Sequence, residues 1–197
     1  MKPLSFIFIG RSGSGKGTQA DLLMADIKKK DPSHKIIYIS TGQEVRKFIT
    51  EKGLAQKFYK EDYDKGLFAP EFLIIYLWGK RLVEEYTGNE YLVFDGMPRK
   101  LHEAVVLSSV FKFYRIPGPF MIDIDISREE AMKRLLARKR VDDVPDEINE
   151  RLDLYDSEVV PVLNFCKTNP VFNYLTIDGE RSIEAIHADI VKKVGLA

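Results

Sequence analysis

Cysteine and histidine are scarce in this chain of 197 residues, and its formal net charge is zero. The single cysteine, Cys166, cannot form an internal disulfide, and three scattered histidines do not make a Cys/His cluster for zinc. Thirty basic residues balance thirty acidic residues, so no net field attracts nucleic acid or an anionic membrane. We therefore expect a cytosolic protein whose anion-binding sites are local.

Long apolar runs are also absent. Residues 4–9 are apolar apart from one serine, but Gly10 and Arg11 end the run at once, and residues 72–78 form the longest run elsewhere. Neither has the length of a signal peptide or a membrane span. A hydrophobic content of 45% over 197 residues is sufficient for one sizeable core. We therefore expect a single domain, residues 1–197.

Short apolar segments alternate with helical patterns along the chain. Strands are predicted at residues 4–9, 36–39, 91–94, 120–126 and 174–177. Helices are predicted at residues 19–30, from 41 onwards, at 70–85, 102–113, 127–139, 145–167 with a kink at Pro161, and 183–194. This alternation predicts an α/β fold in which helices cover both faces of a five-stranded parallel sheet. Ligands bind such sheets at the carboxyl ends of the strands.

A glycine-rich loop follows the first predicted strand and opens the first helix. Residues 10–16 read Gly-Arg-Ser-Gly-Ser-Gly-Lys. Glycines let backbone N–H groups surround a phosphate, the helix N-terminus adds partial positive charge, and Lys16 adds a full charge. A glycine-rich turn with a solvated lysine is the alternative. The candidate phosphate-binding residues are Gly10, Gly13, Ser14, Gly15, Lys16, Gly17 and Thr18.

The residue after the lysine narrows the class of phosphate loop. The usual motif has Ser or Thr there to bind Mg²⁺, whereas this chain has Gly17 followed by Thr18. The Gly-Lys-Gly-Thr-Gln string of residues 15–19 resembles the nucleoside monophosphate kinases, in which phosphates and waters bind the magnesium. Asp95, at the end of the third predicted strand, is then the candidate anchor for those waters. The alternative for Asp95 is a turn residue before Gly96.

Further segments extend this resemblance to the adenylate kinase family over nearly the whole chain. Residues 40–46 resemble the family's S-T-G-D-x-x-R, residues 66–70 its G-x-L-V-P, and residues 95–99 its D-G-F-P-R. The arginines between residues 134 and 151 resemble those around the family's lid. Residues 177–179 stand where the family passes a loop beside the adenine of ATP.

The resemblance implies a P-loop nucleoside monophosphate kinase architecture with a small helical insertion for the monophosphate at about residues 41–70 and a very short lid at about 138–145. The implied catalytic residues are Lys16, Arg99, Arg134, Arg138, Arg140 and Arg151. To the phosphate loop it adds Arg134 and Gly179 as ATP-binding residues. The implied acceptor-binding residues are Thr41, Arg46, Ala69, Gly96, Arg99 and Glu103.

The arginine cluster also has a physical rationale. Phosphoryl transfer depends mainly on positioning and on stabilisation of negative charge. Arg134 and Arg138 are four residues apart on a predicted helix, a like-charge pair that favours an anion between them. The alternative is that Arg134 and Arg151 make ordinary surface bridges with Glu130 and Glu147.

Four positions depart from the family pattern. Arg11-Ser12 replaces Gly-Pro, and Met97 replaces Phe. Gln43 replaces an Asp near the metal waters, which predicts weaker magnesium binding. Glu103 replaces the Gln that reads adenine in the family, so we expect it to contact the base and change specificity. The alternative is that Glu103 faces solvent and contacts no base. Thr41 matches the adenylate kinases, although it could also be the N-cap of a capping box with Glu44.

These observations predict an enzyme that transfers the γ-phosphoryl group of ATP to a nucleoside monophosphate, with AMP as the first choice and Mg²⁺ as cofactor. A kinase for GMP or CMP is the alternative within the fold. A nucleotide-binding regulatory module without turnover is the alternative from another class, although binding alone does not require so many cationic groups. The expected partners are ATP and the monophosphate, and we expect a monomer.

Overall fold

The computed structural model describes residues 2–138 and 144–196. Its centre is a parallel sheet of five strands, which confirms the predicted α/β class. The strands are β1 (Ser5–Ile9), β2 (Ile36–Ser40), β3 (Tyr91–Asp95), β4 (Phe120–Asp125) and β5 (Asn173–Asp178), in the order β2-β3-β1-β4-β5. Strand β1 is therefore central, and the loop that follows it opens in the middle of the sheet edge.

All of the following helices except the last connect consecutive strands. They are α1 (Lys16–Lys30), α2 (Thr41–Phe48), α3 (Leu54–Tyr63), α4 (Glu71–Glu85), α5 (Leu101–Phe113), α6 (Arg128–Arg138), α7 (Pro145–Leu154), α8 (Val160–Thr168) and α9 (Ile183–Lys193). Helices α2 and α3 lie between β2 and α4, within the segment predicted as the monophosphate insertion. None of the helices in the described ranges is both long and apolar enough to cross a membrane.

Two apolar layers hold the sheet between its helices. On one face, α1 and α9 bury side chains such as Leu23 and Ile190 against β1, β3 and β4. On the other face, α4, α5 and α8 bury Trp78, Leu107 and Val162. Burial of apolar surface on both faces explains why the strands read as nearly continuous hydrophobic runs. A separate small cluster joins α6 to α7.

Helix boundaries differ from the sequence predictions at three places. Helix α1 begins at Lys16 rather than residue 19, because the glycine-rich loop leads directly into it. The predicted kink at Pro161 is a π-helical segment (Tyr155–Val159) just before the proline. Proline cannot donate the N–H of a regular turn, and a wider turn accommodates this loss. The capping box at Ser127 is only half formed: Glu130 N donates to Ser127 Oγ at 3.3 Å, but Glu180 accepts from Ser127 N at 2.8 Å.

Candidate active site

The predicted site residues gather at the carboxyl end of the sheet. Gly10 follows β1, Ser40 ends β2 and Asp95 ends β3, and β2 is in register with β3 so that Ser40 is paired with Asp95. The start of α1 lies above the same edge. This is the place where an α/β sheet of this kind binds ligands.

The phosphate loop requires glycine at two points in particular. Gly10 has φ +143°, and a Cβ atom there would lie 2.4 Å from the carbonyl oxygen of Ile124. Gly15 has φ +91° and forms the N-cap of α1. Side chains at these positions would clash or be strained, so the loop can pass close to β4 and turn sharply into the helix.

Lys16 lies inside this loop. Its ammonium donates to the backbone carbonyls of Gly10 and Arg11, each at 2.8 Å, and to Ser14 Oγ at 3.4 Å. The lysine charge is thus already positioned where the loop N–H groups and the N-terminus of α1 converge. A phosphate entering the loop would meet this charge without a long movement of the side chain.

The electrostatics of Lys16 connect it with three other predicted site residues. Burial lowers the pKa of Lys16 to about 8, while the nearby carboxylate of Asp95 acts in the opposite direction. The guanidinium groups of Arg99 and Arg138 lower that pKa further. Residues from the phosphate loop, the end of β3 and the end of α6 therefore act on one another within a single electropositive site.

Asp95 is held by side chains from β2. Tyr38 Oη donates to Asp95 Oδ2 at 3.0 Å, and Ser40 Oγ donates to the same oxygen at 3.4 Å. Burial, and then the charge of Asp95, raise the pKa of Tyr38. Tyr38 was missed by the sequence analysis. The available signal was its position two residues before Ser40, which places both side chains on the same face of the strand.

The geometry around Asp95 fits a magnesium ion bound through water. A Cβ atom on Gly17 would lie 3.8 Å from Asp95 Oδ2, so the carboxylate faces the start of α1. Over the described part of the chain, no three His, Cys, Asp or Glu side chains form a metal-binding group. A single carboxylate with fixed orientation suits a hydrated ion that takes its other ligands from nucleotide phosphates.

On the other side of Asp95, Arg99 occupies the predicted acceptor site. Arg99 Nε donates to the carbonyl of Gly96 at 2.8 Å, and its guanidinium lies 5.1 Å from the centre of the Phe68 ring. Burial lowers the pKa of Arg99, and the carboxylate of Glu103 opposes this shift.

Two other predicted acceptor residues differ in exposure. Arg46 is exposed and its guanidinium lies beside Gly42, while Ala69 is buried.

Glu103 is buried, with only 1% of its surface exposed. The alternative that it faces solvent is therefore wrong. Its Oε2 accepts a hydrogen bond from Arg99 N at 2.6 Å. Among the described residues its Oε1 is buried without a hydrogen bond of normal geometry, although the indole N–H of Trp78 is close enough to oppose the rise that burial causes in the pKa of this carboxyl. Burial raises the pKa of Glu103, whereas the backbone of Arg99 and then its charge act in the opposite direction.

Thr41 also has an unpaired polar atom. It is the first residue of α2 and Ser40 is the N-cap, so the capping box of Thr41 with Glu44 is wrong. Glu44 instead forms an ion pair with Arg81 of α4. Within residues 2–138 and 144–196, Thr41 Oγ1 is buried and has no hydrogen-bond partner. Unpaired buried groups are costly, which favours a ligand that pairs with them.

The predicted adenine site brings α6 next to the loop after β5. Arg134 Nη2 donates to the carbonyl of Gly179 at 2.9 Å, and Arg134 Nε pairs with Glu130 at 2.7 Å. The bridge to Glu130 is thus present together with the contact to Gly179. Arg151 Nε donates to the backbone carbonyl of Glu147 at 3.2 Å. Arg140 and residues 139–143 of the predicted lid lie outside the described residues.

Comparison with known proteins places this arrangement in one family. The family model described as adenylate kinase matches residues 8–171. An adenylate kinase of Leptospira biflexa is 34% identical, and the match covers 95% of this chain and 98% of the relative. An adenylate kinase of Phocaeicola vulgatus is 32% identical, with 97% and 98% covered. One from Prochlorococcus marinus is 30% identical, with 95% and 97% covered. The chain therefore belongs to the adenylate kinase family.

Proposed function

We propose that this chain transfers the γ-phosphoryl group of ATP to a nucleoside monophosphate, with AMP as the preferred acceptor (ATP + AMP ⇌ 2 ADP). The observation that carries this proposal is the electrostatic convergence of Lys16 with Asp95, Arg99 and Arg138. It combines a phosphate loop with cationic groups from two other elements. The relatives named adenylate kinase support AMP as the acceptor.

ATP binds with its phosphates in the loop after β1. The backbone N–H groups of Gly13, Gly15, Gly17 and Thr18 surround the phosphates, and Ser14, whose N–H is bonded to the Arg11 carbonyl, contributes its hydroxyl. Gly10 gives the loop its close approach to β4, and Lys16 exchanges carbonyl oxygens for phosphate oxygens. The contact between Arg134 and Gly179 supports an adenine site there, since the guanidinium offers a flat cationic surface and the second lone pair of the Gly179 carbonyl can accept from an amino group.

The monophosphate binds on the other side of Asp95. Arg99, together with the exposed Arg46 of α2, binds the acceptor phosphate. Ala69, Gly96, Thr41 and Glu103 line the pocket for the nucleoside, in which Thr41 Oγ1 and Glu103 Oε1 are the unpaired polar atoms. Helices α2 and α3, within residues 41–70, form the acceptor-binding insertion of this single domain.

The reaction requires charge stabilisation more than proton transfer. The second pKa of a phosphate monoester is about 6, so the attacking oxygen of the monophosphate is already ionised at neutral pH. The residues therefore align the two nucleotides and neutralise the charge on the transferred group. Lys16, Arg99, Arg134, Arg138, Arg140 and Arg151 supply this positive charge. Mg²⁺, when bound through waters to Asp95, would add Lewis-acid stabilisation of the phosphate oxygens.

A second acceptor, GMP, is favoured by one observation. In its ionised form, which burial disfavours, Glu103 can only accept hydrogen bonds, whereas guanine presents two donors, its N1–H and its 2-amino group. The unpaired Oε1 of Glu103 matches such a donor better than it matches adenine N1. Thr41 and the relatives still favour AMP.

The test is a coupled assay of ADP formation from ATP and Mg²⁺ with AMP, GMP, CMP, UMP or dTMP as acceptor. We expect AMP to give the highest kcat/KM and GMP to follow. ATP hydrolysis without acceptor serves as the control. If no monophosphate raises ADP formation above that control, the chain is a binding module.

Because the charge is balanced and Cys166 is buried and reduced, we also propose a cytosolic protein. We further propose that the chain is a monomer, which light scattering can verify.

A further inference from the structure

Arg11 lies within the phosphate loop, but its side chain points away from Lys16. Its Nη1 donates to the carbonyl of Ile126 at the end of β4 at 3.1 Å. Its Nη2 pairs with Asp156 Oδ1 at 2.7 Å, and its guanidinium lies 4.8 Å from the centre of the Tyr155 ring. Asp125 lies 3.7 Å away and adds a second carboxylate.

The backbone of the same residue belongs to the phosphate site. The Arg11 carbonyl accepts from Lys16 Nζ at 2.8 Å and from Ser14 N at 3.1 Å. The position of this peptide group therefore helps to determine where the Lys16 charge lies. Because the Arg11 side chain is fixed at its far end, it holds that peptide group relative to β4 and the π-helical segment.

Two partners of Arg11, Tyr155 and Asp156, belong to the helical segment that carries Arg151. Tyr155 and Asp156 are in the π-helical segment, which continues α7 directly after Leu154, and Arg151 lies one turn earlier on α7. Irregular turns of this kind are frequent at functional sites. The pair between Arg11 and Asp156 thus joins the loop that holds Lys16 to the helix that holds another predicted catalytic arginine.

The pair is poorly suited to a purely stabilising role. The side chains of Arg11 and Asp156 remain 19% and 41% exposed. Ion pairs with this much solvent contact contribute little to the free energy of unfolding. Their geometry, however, combines a hydrogen bond to the backbone, an ion pair and a ring contact on one planar guanidinium, which restricts its orientation.

We propose that Arg11 is a positioning residue that couples the phosphate loop to the helix of Arg151, so that ATP binding depends on the contact of Arg11 with Asp156. This inference rests on the proposed ATP site. With its guanidinium held by Ile126, Asp156 and Tyr155, Arg11 acts on ATP through the placement of its own peptide group and of Lys16. The hydrogen bonds of Arg99 run to Gly96 and Glu103 rather than to this network, so AMP binding is expected to change much less than ATP binding.

The experiment measures the Kd values of Mg·ATP and of AMP separately by calorimetry for Arg11→Ala, Asp156→Asn and the double variant. We expect each single variant to weaken ATP binding by about threefold to tenfold, with AMP binding changed by less than about twofold. The double variant should be about as weak as Arg11→Ala alone, because both changes remove the same contact. Arg11→Lys, which keeps the charge but not the planar group, should be intermediate.

Arg128→Ala is the matched control. Arg128 also pairs with Asp156, at 3.4 Å, but it lies at the start of α6 and outside the phosphate loop. It should leave ATP affinity within about twofold of wild type. Equal effects on ATP and AMP, additive effects in the double variant, or an unchanged ATP affinity would overturn the coupling. If Arg11→Ala does not fold, Asp156→Asn alone decides, since it replaces one oxygen by an isosteric amide group. Absence of ATP binding by the wild-type chain would instead refute the proposed function.

Discussion

ATP binding should be accompanied by proton uptake at Lys16. Burial gives this lysine a pKa of about 8 in the ligand-free protein, below its ordinary value. A phosphate next to the ammonium favours the charged form, so the pKa of Lys16 in the complex should rise well above that value. The protonated form is therefore the one that binds ATP.

The magnitude follows from linkage. At about pH 8, Lys16 is about half protonated before ATP binds and almost fully protonated afterwards, which gives an uptake of about half a proton. Below this pH the contribution of Lys16 to the affinity should be constant. Above it, the apparent Kd for ATP should rise about tenfold per pH unit until the pKa of the complex is reached. Tyr38 and Cys166 do not interfere, because burial raises the pKa of each well above this window.

Calorimetry in buffers of different ionisation enthalpy measures the uptake directly. Nucleotide phosphates have a pKa of about 6, so they do not titrate above about pH 7.5. Lys16→Met should bind ATP more weakly and without this proton uptake, and it serves as the control. An uptake below about a tenth of a proton at about pH 8 in the wild-type protein would refute the argument, since Lys16 would then be fully charged before binding.

Four further substitutions test other parts of the site. Tyr38→Phe removes the hydroxyl that orients Asp95, so the Mg²⁺ concentration for half-maximal rate should rise about tenfold, and no change would mean that Asp95 does not hold the metal waters. Arg99→Ala should mainly raise KM for AMP, whereas Arg138→Ala should mainly lower kcat, and steady-state kinetics would contradict both roles if the two variants behaved alike. Glu103→Gln should raise kcat/KM for AMP relative to GMP by about 5- to 150-fold, and an unchanged ratio would show that Glu103 does not read the base.

The sequence was sufficient to predict the five strands along the chain and most of the helices between them, because hydrophobic periodicity and turn residues are local signals. The division of residues 41–70 into α2 and α3 was not predicted. It also predicted which loops meet, since the carboxyl ends of parallel strands share one edge. The start of α1 was placed three residues late because Gly17 and Thr18 have low helix propensity, although the phosphate loop leads straight into the helix.

Contacts between distant segments could not be predicted. Tyr38 reaches Asp95 across 57 positions and Arg11 reaches Asp156 across 145, and neither spacing has a periodic signature. Whether Glu103 is buried could not be predicted for a similar reason. One face of α5 is covered by α4 and α8, and this cover depends on tertiary packing. Thr41 looked like an N-cap because Glu44, three residues later, could have completed a capping box. In the structure the Glu44 side chain pairs with Arg81 of α4 instead of bonding to the backbone at the start of α2.

The central claim is that the loop around Lys16 makes this chain a phosphotransferase between ATP and a nucleoside monophosphate. The most direct test compares the kcat of wild type and Lys16→Met for ADP formation from ATP and AMP, with circular dichroism to show that both are folded. Removal of one preorganised charge from such a site should lower kcat by about 10²–10³. Turnover of the variant within about threefold of wild type would contradict the claim, because the charge at the centre of the site would then have no part in the reaction.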